Sequence, residues 1–474
     1  MQVRYFPFVF LLLTGVHLNA QNSLDSAIKK LLRKPEYKNA SVGIMVTEET
    51  SGETLYSLNP NKLMIPASTL KLITSGTALE LLGADYRFKT RIAYTGAITN
   101  EVLDGNLVLI GGADPALGSE YFQKHYFNFL ERWAQIVKDA GIKRINGNLI
   151  LDASIYDSEK VPATWIWEDI GNYYGAGANA FSIYDNLFRI SFRSPATIGG
   201  QTQIENIYPH IEGVKIMNEV LAADNNRDNA YVFGSPLDNT RVIRGTIPAN
   251  RRSFTIKAAM HHPEKILATS FEQALLEKGV FVMEKVMFQT VDHVAAKTIY
   301  IQESPKLSEI VKVLNYESVN LFAEHLLKQL AVEEYGQGNR EKSLEIVKTF
   351  WKEKGFPMDE IFMEDGSGLS HFNTVSPAFF TRFLTTMATN NAFVESLPVA
   401  GVGTFKYFDT NQFPGNTLQA KSGSMTRVRC YSGYLTTDKG NRLVFSFMFN
   451  HFAGSQSTLI KEIEQLFVIL KQTY

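Results

Sequence analysis

The sequence predicts a mixed α/β fold of the α+β kind: an antiparallel sheet flanked by helices, with a β-rich region inserted into it. Three observations carry this. Strand-like alternation falls into two distant groups, Ser41 to Thr47 with Thr54 to Leu58, and Asn416 to Ala420 with Arg429 to Thr437 and Arg442 to Asn450. Amphipathic helical patterns, Ser23 to Leu32 and Ser457 to Gln472, sit beside these groups near the two ends of the chain. Between them the texture turns to short strands and turns beyond Tyr86, and returns to helix from Leu307. Two early and three late strands close one sheet, so the β-rich middle is an insertion.

The composition bounds the function. At 474 residues the chain exceeds one ordinary core. With 47 Lys plus Arg against 48 Asp plus Glu, the charge is balanced, which argues against a nucleic-acid partner, since such proteins show a basic excess or stripe. Met1 to about Ala20 reads as a secretory signal peptide, with Arg4 ahead of the apolar run Phe6 to Val16 and small residues near Ala20. That run is shorter than a membrane span requires, so the mature protein is expected outside the cytoplasm with at most peripheral membrane association. The single cysteine, Cys430, has no internal disulfide partner and reads as a buried apolar thiol.

Taken in order, Lys34-Pro35-Glu36 ends the first helix, and the two early strands form a hairpin across Ser51-Gly52. The hairpin delivers the chain to its most apolar helix. Pro66 suits a first helical position, Leu70, Ile73, Thr77, Ala78 and Leu81 recur at helical spacing, Leu72, Leu79 and Leu82 cover the other sides, and Gly83 stops it. Turns at Asp104-Gly105-Asn106 and Asn146-Gly147 then punctuate strands at Leu107 to Ile110 and Leu149 to Leu151. Strands at Arg241 to Ile247 and Ser253 to Ala258 precede a helix from Pro263 to Lys278. Glu317 to Glu334 reads as an amphipathic helix, and Lys342 to Lys354 as another. Asp438-Lys439-Gly440-Asn441 turns the chain between the last two strands.

The chemistry centres on Ser68 and Lys71. Three residues apart at the start of a buried helix, they share a face, and a lysine kept neutral can take a serine's proton. Ser26-x-x-Lys29 matches the same pattern on a surface helix and is assigned to chance. Two further elements follow in order: Ser318-Val319-Asn320 at a helix entrance, and Lys421-Ser422-Gly423-Ser424 in a strand. Strand alternation puts Lys421 and Gly423 on one face and Ser422 on the other, and the glycine admits close approach of another backbone. Taken singly, Ser318 also suits a helix cap and Lys421 an exposed strand position. The adjacent His261-His262 do not face one site together, and Asp114-Pro115 and Asp224-Asn225-Asn226 read as turns, so no metal is expected.

Ser68-x-x-Lys71, Ser318-x-Asn320 and Lys421-Ser422-Gly423 match the three signatures of penicillin-binding proteins and serine β-lactamases. The wider text resembles the class C low-molecular-mass penicillin-binding proteins, D-alanyl-D-alanine carboxypeptidases and endopeptidases. The resemblance runs through Ile65 to Ser68, Gly111-Gly112-Ala113-Asp114-Pro115, Trp165 to Asp169 with Tyr173 to Ala176, Asn315 to Leu327, Asp365 to Ser370, and Ala420 to Tyr434. It implies the penicillin-binding-protein and β-lactamase-like transpeptidase fold, with accessory domains inserted after the Ser-x-x-Lys helix. The expected boundaries are a signal peptide at 1–20, a discontinuous catalytic domain at 21–90 and 303–474, and an inserted region at 91–302. That region divides into two nested domains, about 91–116 with 183–302, and 117–182.

The resemblance also implies roles. Ser68 attacks the carbonyl of the penultimate D-alanine of a peptidoglycan stem peptide, Lys71 is its base with Lys421 as a nearby like charge, and Ser318 passes a proton to the departing amine. Asn320 holds the peptide amide, Lys421 with Ser422 binds the terminal carboxylate, and the N–H groups of Ser68 and Ser424 form the oxyanion hole beside Gly423. No cofactor is required, β-lactam antibiotics are the expected inhibitors, and the location is periplasmic or elsewhere in the cell envelope. Three positions depart from the family pattern: Val319 where aspartate is usual, Ser422 and Ser424 where threonines are common, and His371 where arginine is more usual. The hydroxyls are retained, Val319 is expected to retune the site, and His371 reads as a loop residue. A non-catalytic wall-binding relative and a β-lactamase are the competing readings.

Overall fold

The computed structural model describes residues 23–474, so the expected signal peptide lies outside the described residues. The chain forms two compact units. One comprises the chain up to Leu79 together with Val311–Ser318 and Lys348–Tyr474; the other comprises Glu80–Ile310 and Val319–Val347. Among the described residues no helix is long and apolar enough to cross a membrane.

The first unit is built on a five-stranded antiparallel sheet. In chain order its strands are β1 (Ser41–Glu48), β2 (Thr54–Leu58), β3 (Leu418–Met425), β4 (Val428–Thr436) and β5 (Arg442–Asn450). In space they run β2-β1-β5-β4-β3, so the early hairpin joins the late meander as the alternation predicts, and β3 is an edge. On one face the helix Gln456–Thr473 lays Leu459, Ile463, Leu466 and Phe467 onto an aromatic core. There Phe467 lies 4.7 Å from Phe445 and 5.2 Å from Phe447, ring centre to ring centre. Ser23 and its successors form a helix over 23–32 whose Leu24, Ile28 and Leu31 enter the same core.

The helix carrying Lys71 begins differently from the sequence expectation. A 3-10 turn, Ala67–Leu70, comes first with Pro66 at its N-cap, and the α-helix proper, α1, spans Lys71–Leu82. Every residue from Lys71 to Leu79 is buried, as its apolar girth requires. Trp351 Nε1 donates to Thr77 Oγ1 at 2.8 Å, and the Trp351 ring packs on Phe383 at 4.8 Å.

The second unit mixes parallel and antiparallel pairing. Its largest sheet orders Val286–Phe288, Leu149–Asp152, Leu107–Ile110, Lys89–Tyr94 and Lys297–Glu303; the first three are mutually parallel and the last two antiparallel to their neighbours. Two three-stranded sheets share a separate core that includes Phe188, Phe192, Val220, Val232, Ile243 and Ile256. The helix α2 (Asn320–Tyr335) belongs to this unit and ends on Gly336 at φ 76°, a left-handed stop that favours glycine. Its expected amphipathic character is corrected: Asn320 to Ala331 are all buried, polar residues included. Several of those polar residues make bonds inside, His325 with Ser182 and Ala113, and Gln329 through its Nε2 with Tyr86.

Candidate active site

The site begins with a turn under strain. Ala67 adopts φ 46° and Ser318 φ 61°, both in the left-handed region that costs a non-glycine residue about 1–3 kcal/mol unless the surroundings impose it. The surroundings at Ala67 are explicit. Asn450 on β5 clamps Ile65, two residues earlier, its Oδ1 accepting from Ile65 N–H at 2.8 Å and its Nδ2 donating to Ile65 C=O at 3.1 Å. The Cys430 thiol faces the same carbonyl at 3.4 Å. Cys430 is fully buried and its thiol is pushed up to about 12 by burial, which suits packing and not nucleophilic chemistry.

From that turn Ser68 stands partly exposed, and the first residue of α1 reaches back to it. Lys71 Nζ donates to Ser68 Oγ at 2.8 Å and to the carbonyl of Ser367 at 2.6 Å. The lysine side chain is fully buried, 0 % exposed. The loop supplying that carbonyl is itself held by one carboxylate: Asp365 accepts from the N–H groups of Gly368 and Ser370 at 2.8 and 2.6 Å and from Asn373 Nδ2 at 2.8 Å. Gly368 lies at φ 79° with its missing side chain directed at Ala67 O, 2.0 Å from where a Cβ would stand, so only glycine fits. Thr74, one turn further along α1, donates to Gly366 O at 2.7 Å.

The edge strand β3 completes the arrangement in this unit. Lys421, also 0 % exposed, donates to Ser318 Oγ at 2.9 Å and to the carbonyl of Ser422 at 2.8 Å. Burial holds the Lys421 ammonium well below the ordinary lysine range, and the nearby charges of Lys71 and Arg429 push it the same way. The register Lys421↔Ser432 and Gly423↔Cys430 puts Lys421 and Gly423 on one face, as alternation requires. A Cβ on Gly423 would stand 2.3 Å from Pro66 O and 3.2 Å from Ser68 N, so the strand backbone lies directly against the serine turn. Ser422 is buried and Ser424 is exposed.

Thus Ser68 pairs with Lys71, Ser318 pairs with Lys421, and the two lysines sense each other's charge, all within the first unit. Ser318 does not cap a helix; Val319 occupies the N-cap of α2 and makes no side-chain cap bond. Asn320 opens α2 in the second unit, where its Nδ2 donates to Tyr174 O at 2.8 Å. His371 is exposed in a turn, and of the histidine pair His261 is buried while His262 faces Glu264 at 3.3 Å. Ser367, Asp365, Asn450 and Arg429 lie outside the three sequence motifs. The paired glycines of Asp365-Gly366-Ser367-Gly368 were a signal for a constrained loop; nothing marked Asn450 or Arg429. Chemically, a hydroxyl facing a buried amine, a second hydroxyl facing a second amine and a glycine-floored strand edge suit attack on an amide carbonyl beside a carboxylate.

The family model described as the D-Ala-D-Ala carboxypeptidase 3 (S13) family matches residues 24–472. A D-alanyl-D-alanine carboxypeptidase of Actinomadura sp. (strain R39) is 28% identical over 464 residues, covering 93% of this chain and 83% of the relative. Penicillin binding protein 4 from Haemophilus influenzae superposes with a TM-score of 0.79 at 23% identity, covering 92% of this chain and 97% of that one, and the same protein is also known in complex with a β-lactam. A predatory peptidoglycan endopeptidase from Bdellovibrio bacteriovorus aligns with a TM-score of 0.51 at 15% identity, covering 90% and 91%. The match over nearly the whole described chain, with the serine and lysine pairs it contains, makes this protein a member of the D-Ala-D-Ala carboxypeptidase 3 (S13) family, a serine-type hydrolase.

Proposed function

We propose that the protein hydrolyses D-alanyl-D-alanine peptide bonds of peptidoglycan through an acyl-enzyme on Ser68, in both carboxypeptidase and endopeptidase modes. The observation that carries this reading is the pairing of Lys71 Nζ with Ser68 Oγ at 2.8 Å beside a second buried lysine, Lys421, on Ser318 Oγ at 2.9 Å. Lys71 takes the Ser68 proton as Oγ bonds to the penultimate D-alanine carbonyl. The N–H groups of Ser68 and Ser424 stabilise the oxyanion. As the C–N bond breaks, Ser318, hydrogen-bonded to Lys421, delivers a proton to the departing amine. Water then cleaves the ester and restores Ser68. Asn320 orients the stem-peptide amide, and Lys421 with Ser422 holds the terminal carboxylate over Gly423.

The endopeptidase mode breaks the same type of bond with a different leaving amine, that of a neighbouring stem peptide. A β-lactam offers the same carbonyl in a ring, so its leaving amine stays tethered and the acyl-enzyme persists. Peptidoglycan lies outside the cytoplasm, which places the working protein in the cell envelope and agrees with the export signal read at Met1 to Ala20. The test is intact-mass measurement after mixing with labelled penicillin. One long-lived adduct is expected on Ser68 and none on Ser68→Ala. No adduct and no turnover would support a non-catalytic wall-binding protein instead, and rapid drug hydrolysis a β-lactamase.

A further inference from the structure

The second unit contains a cleft of about 490 Å³, within the roughly 300–1,000 Å³ that small ligands occupy, whose polar groups are only partly used by the protein itself. Its lining includes Arg87, Lys89, Glu303, Gln329 and Glu333. On α2, Gln329 is 2 % exposed; its Nε2 donates to Tyr86 Oη at 2.8 Å and to Glu333 Oε1 at 3.2 Å, and Tyr86 in turn donates to that same carboxylate oxygen at 2.6 Å. These bonds assign the amide orientation and leave Gln329 Oε1 buried and without a partner. A buried acceptor left unpaired is destabilising, so it marks a place for an incoming N–H or O–H donor. On the cationic side, the half-buried Arg87 spends one bond on the carbonyl of Ser304, leaving most of a five-donor fork unused. Lys89 stands 3.9 Å from Glu303, an exposed pairing of little energy that a ligand carboxylate would readily displace.

Donor-seeking and carboxylate-seeking groups in one cleft define the ligand chemistry. We infer that this cleft is a second binding site for a short peptide with a free carboxylate and a free amine, the carboxylate on Arg87 and Lys89 and the N–H donors on Gln329 and Glu333. Resting on the peptidoglycan-hydrolase reading, this makes the ligand an uncrosslinked stem peptide. Such a site retains the enzyme on strands whose peptide ends are free, because a second contact on a polymeric substrate adds avidity without altering the chemistry at Ser68.

The experiment uses the full chain with its serine blocked by penicillin, full occupancy being confirmed by intact mass. Calorimetric titration with the tripeptide L-alanyl-γ-D-glutamyl-L-lysine is expected to show saturable one-to-one binding to this blocked protein. Amidation of both free carboxyls, that of the γ-linked D-glutamate and that of the lysine, and separately Arg87→Gln, each weaken binding tenfold or more, while Ser68 acylation keeps its normal rate in Arg87→Gln. Absence of saturable binding to the blocked protein, or equal affinity for Arg87→Gln, overturns the proposal. If penicillin leaves no adduct, the enzymatic reading fails on its own. The titration is then made on the unblocked chain, where the same loss of affinity in Arg87→Gln supports the second site and its absence overturns it.

Discussion

Two ammonium groups removed from solvent within one unit are expensive to maintain, and the expense identifies what they do. A buried charge without compensation shifts toward its neutral form, and for Lys421 burial, Lys71 and Arg429 all act in that direction. The contrast with Ser26-x-x-Lys29 shows why spacing alone is a weak signal. There Lys29 forms an exposed pair with Asp25 at 2.7 Å, and the lysine side chain remains 66 % exposed. Lys71 has the same spacing inside the protein, against Ser68 Oγ and the Ser367 carbonyl. Replacing it tests the assignment: Lys71→Ala should slow penicillin acylation of Ser68 by about 10²–10⁴-fold, the usual range for a lost general base. Circular dichroism should remain unchanged, because the substitution removes a buried charge and creates no unpaired one. A time course of adduct mass at the normal rate would refute the role of Lys71.

At the level of elements, the site depends on how closely β3 lies against the serine turn. Gly423→Ala would drive a Cβ to 2.3 Å from Pro66 O and 3.2 Å from Ser68 N, and both are backbone atoms that cannot rotate away. The strand must therefore shift, and the expected result is loss of acylation by 10²-fold or more with the five-stranded sheet intact, since a misplacement of about 1 Å suffices for that loss. Acylation at the normal rate together with a native spectrum would show that β3 does not need this contact. The strands themselves and the three motifs were legible because alternation and local spacing are properties of short stretches. The supports were not, because they are made across the chain: Asn450 grips Ile65, and Asp365 gathers a loop whose Ser367 carbonyl meets Lys71. The same reason explains α2. Its polar residues imply an exposed face, yet His325 is enclosed by Ser182 Oγ at 2.7 Å and Ala113 O at 2.9 Å, segments far away in sequence. This geometry makes Nδ1–H the donor to Ala113 and Nε2 the acceptor from Ser182. His325→Phe strands both partners and should destabilise the second unit by about 2–4 kcal/mol, read as a lowered calorimetric transition; an unchanged transition would show that the latch carries no weight.

Across the molecule, buried titrating groups set how stability changes with pH. Burial lowers both His325 and His261 to about 3, so each contributes stability that is present above the unfolded histidine value near 6.5 and is lost as pH falls toward 3. Asp114 works oppositely. It is 2 % exposed, accepts from Tyr126 Oη at 2.5 Å and from Ala116 N–H at 2.9 Å, and burial still raises its carboxyl to about 7. A raised carboxyl contributes stability that is full below its unfolded value near 3.8 and is lost as pH rises through 7. Between about pH 4 and 6.5 the two histidines and this carboxyl therefore act in opposite directions, and above that range the histidines are silent while Asp114 still titrates. Asp114→Asn keeps an oxygen for Ala116 N–H and gives Tyr126 Oη a donor, while removing the ionisation. Relative to the parent chain the variant should therefore gain stability from pH 5 to about pH 7 and level off by pH 8, by about 2–3 kcal/mol over that range for a shift of this size. Calorimetric transitions of both proteins at pH 5, 6, 7 and 8 measure this directly. A difference between them that stays constant over that range would mean that Asp114 is already ionised in the fold, and that its hydrogen bonds compensate fully for its burial.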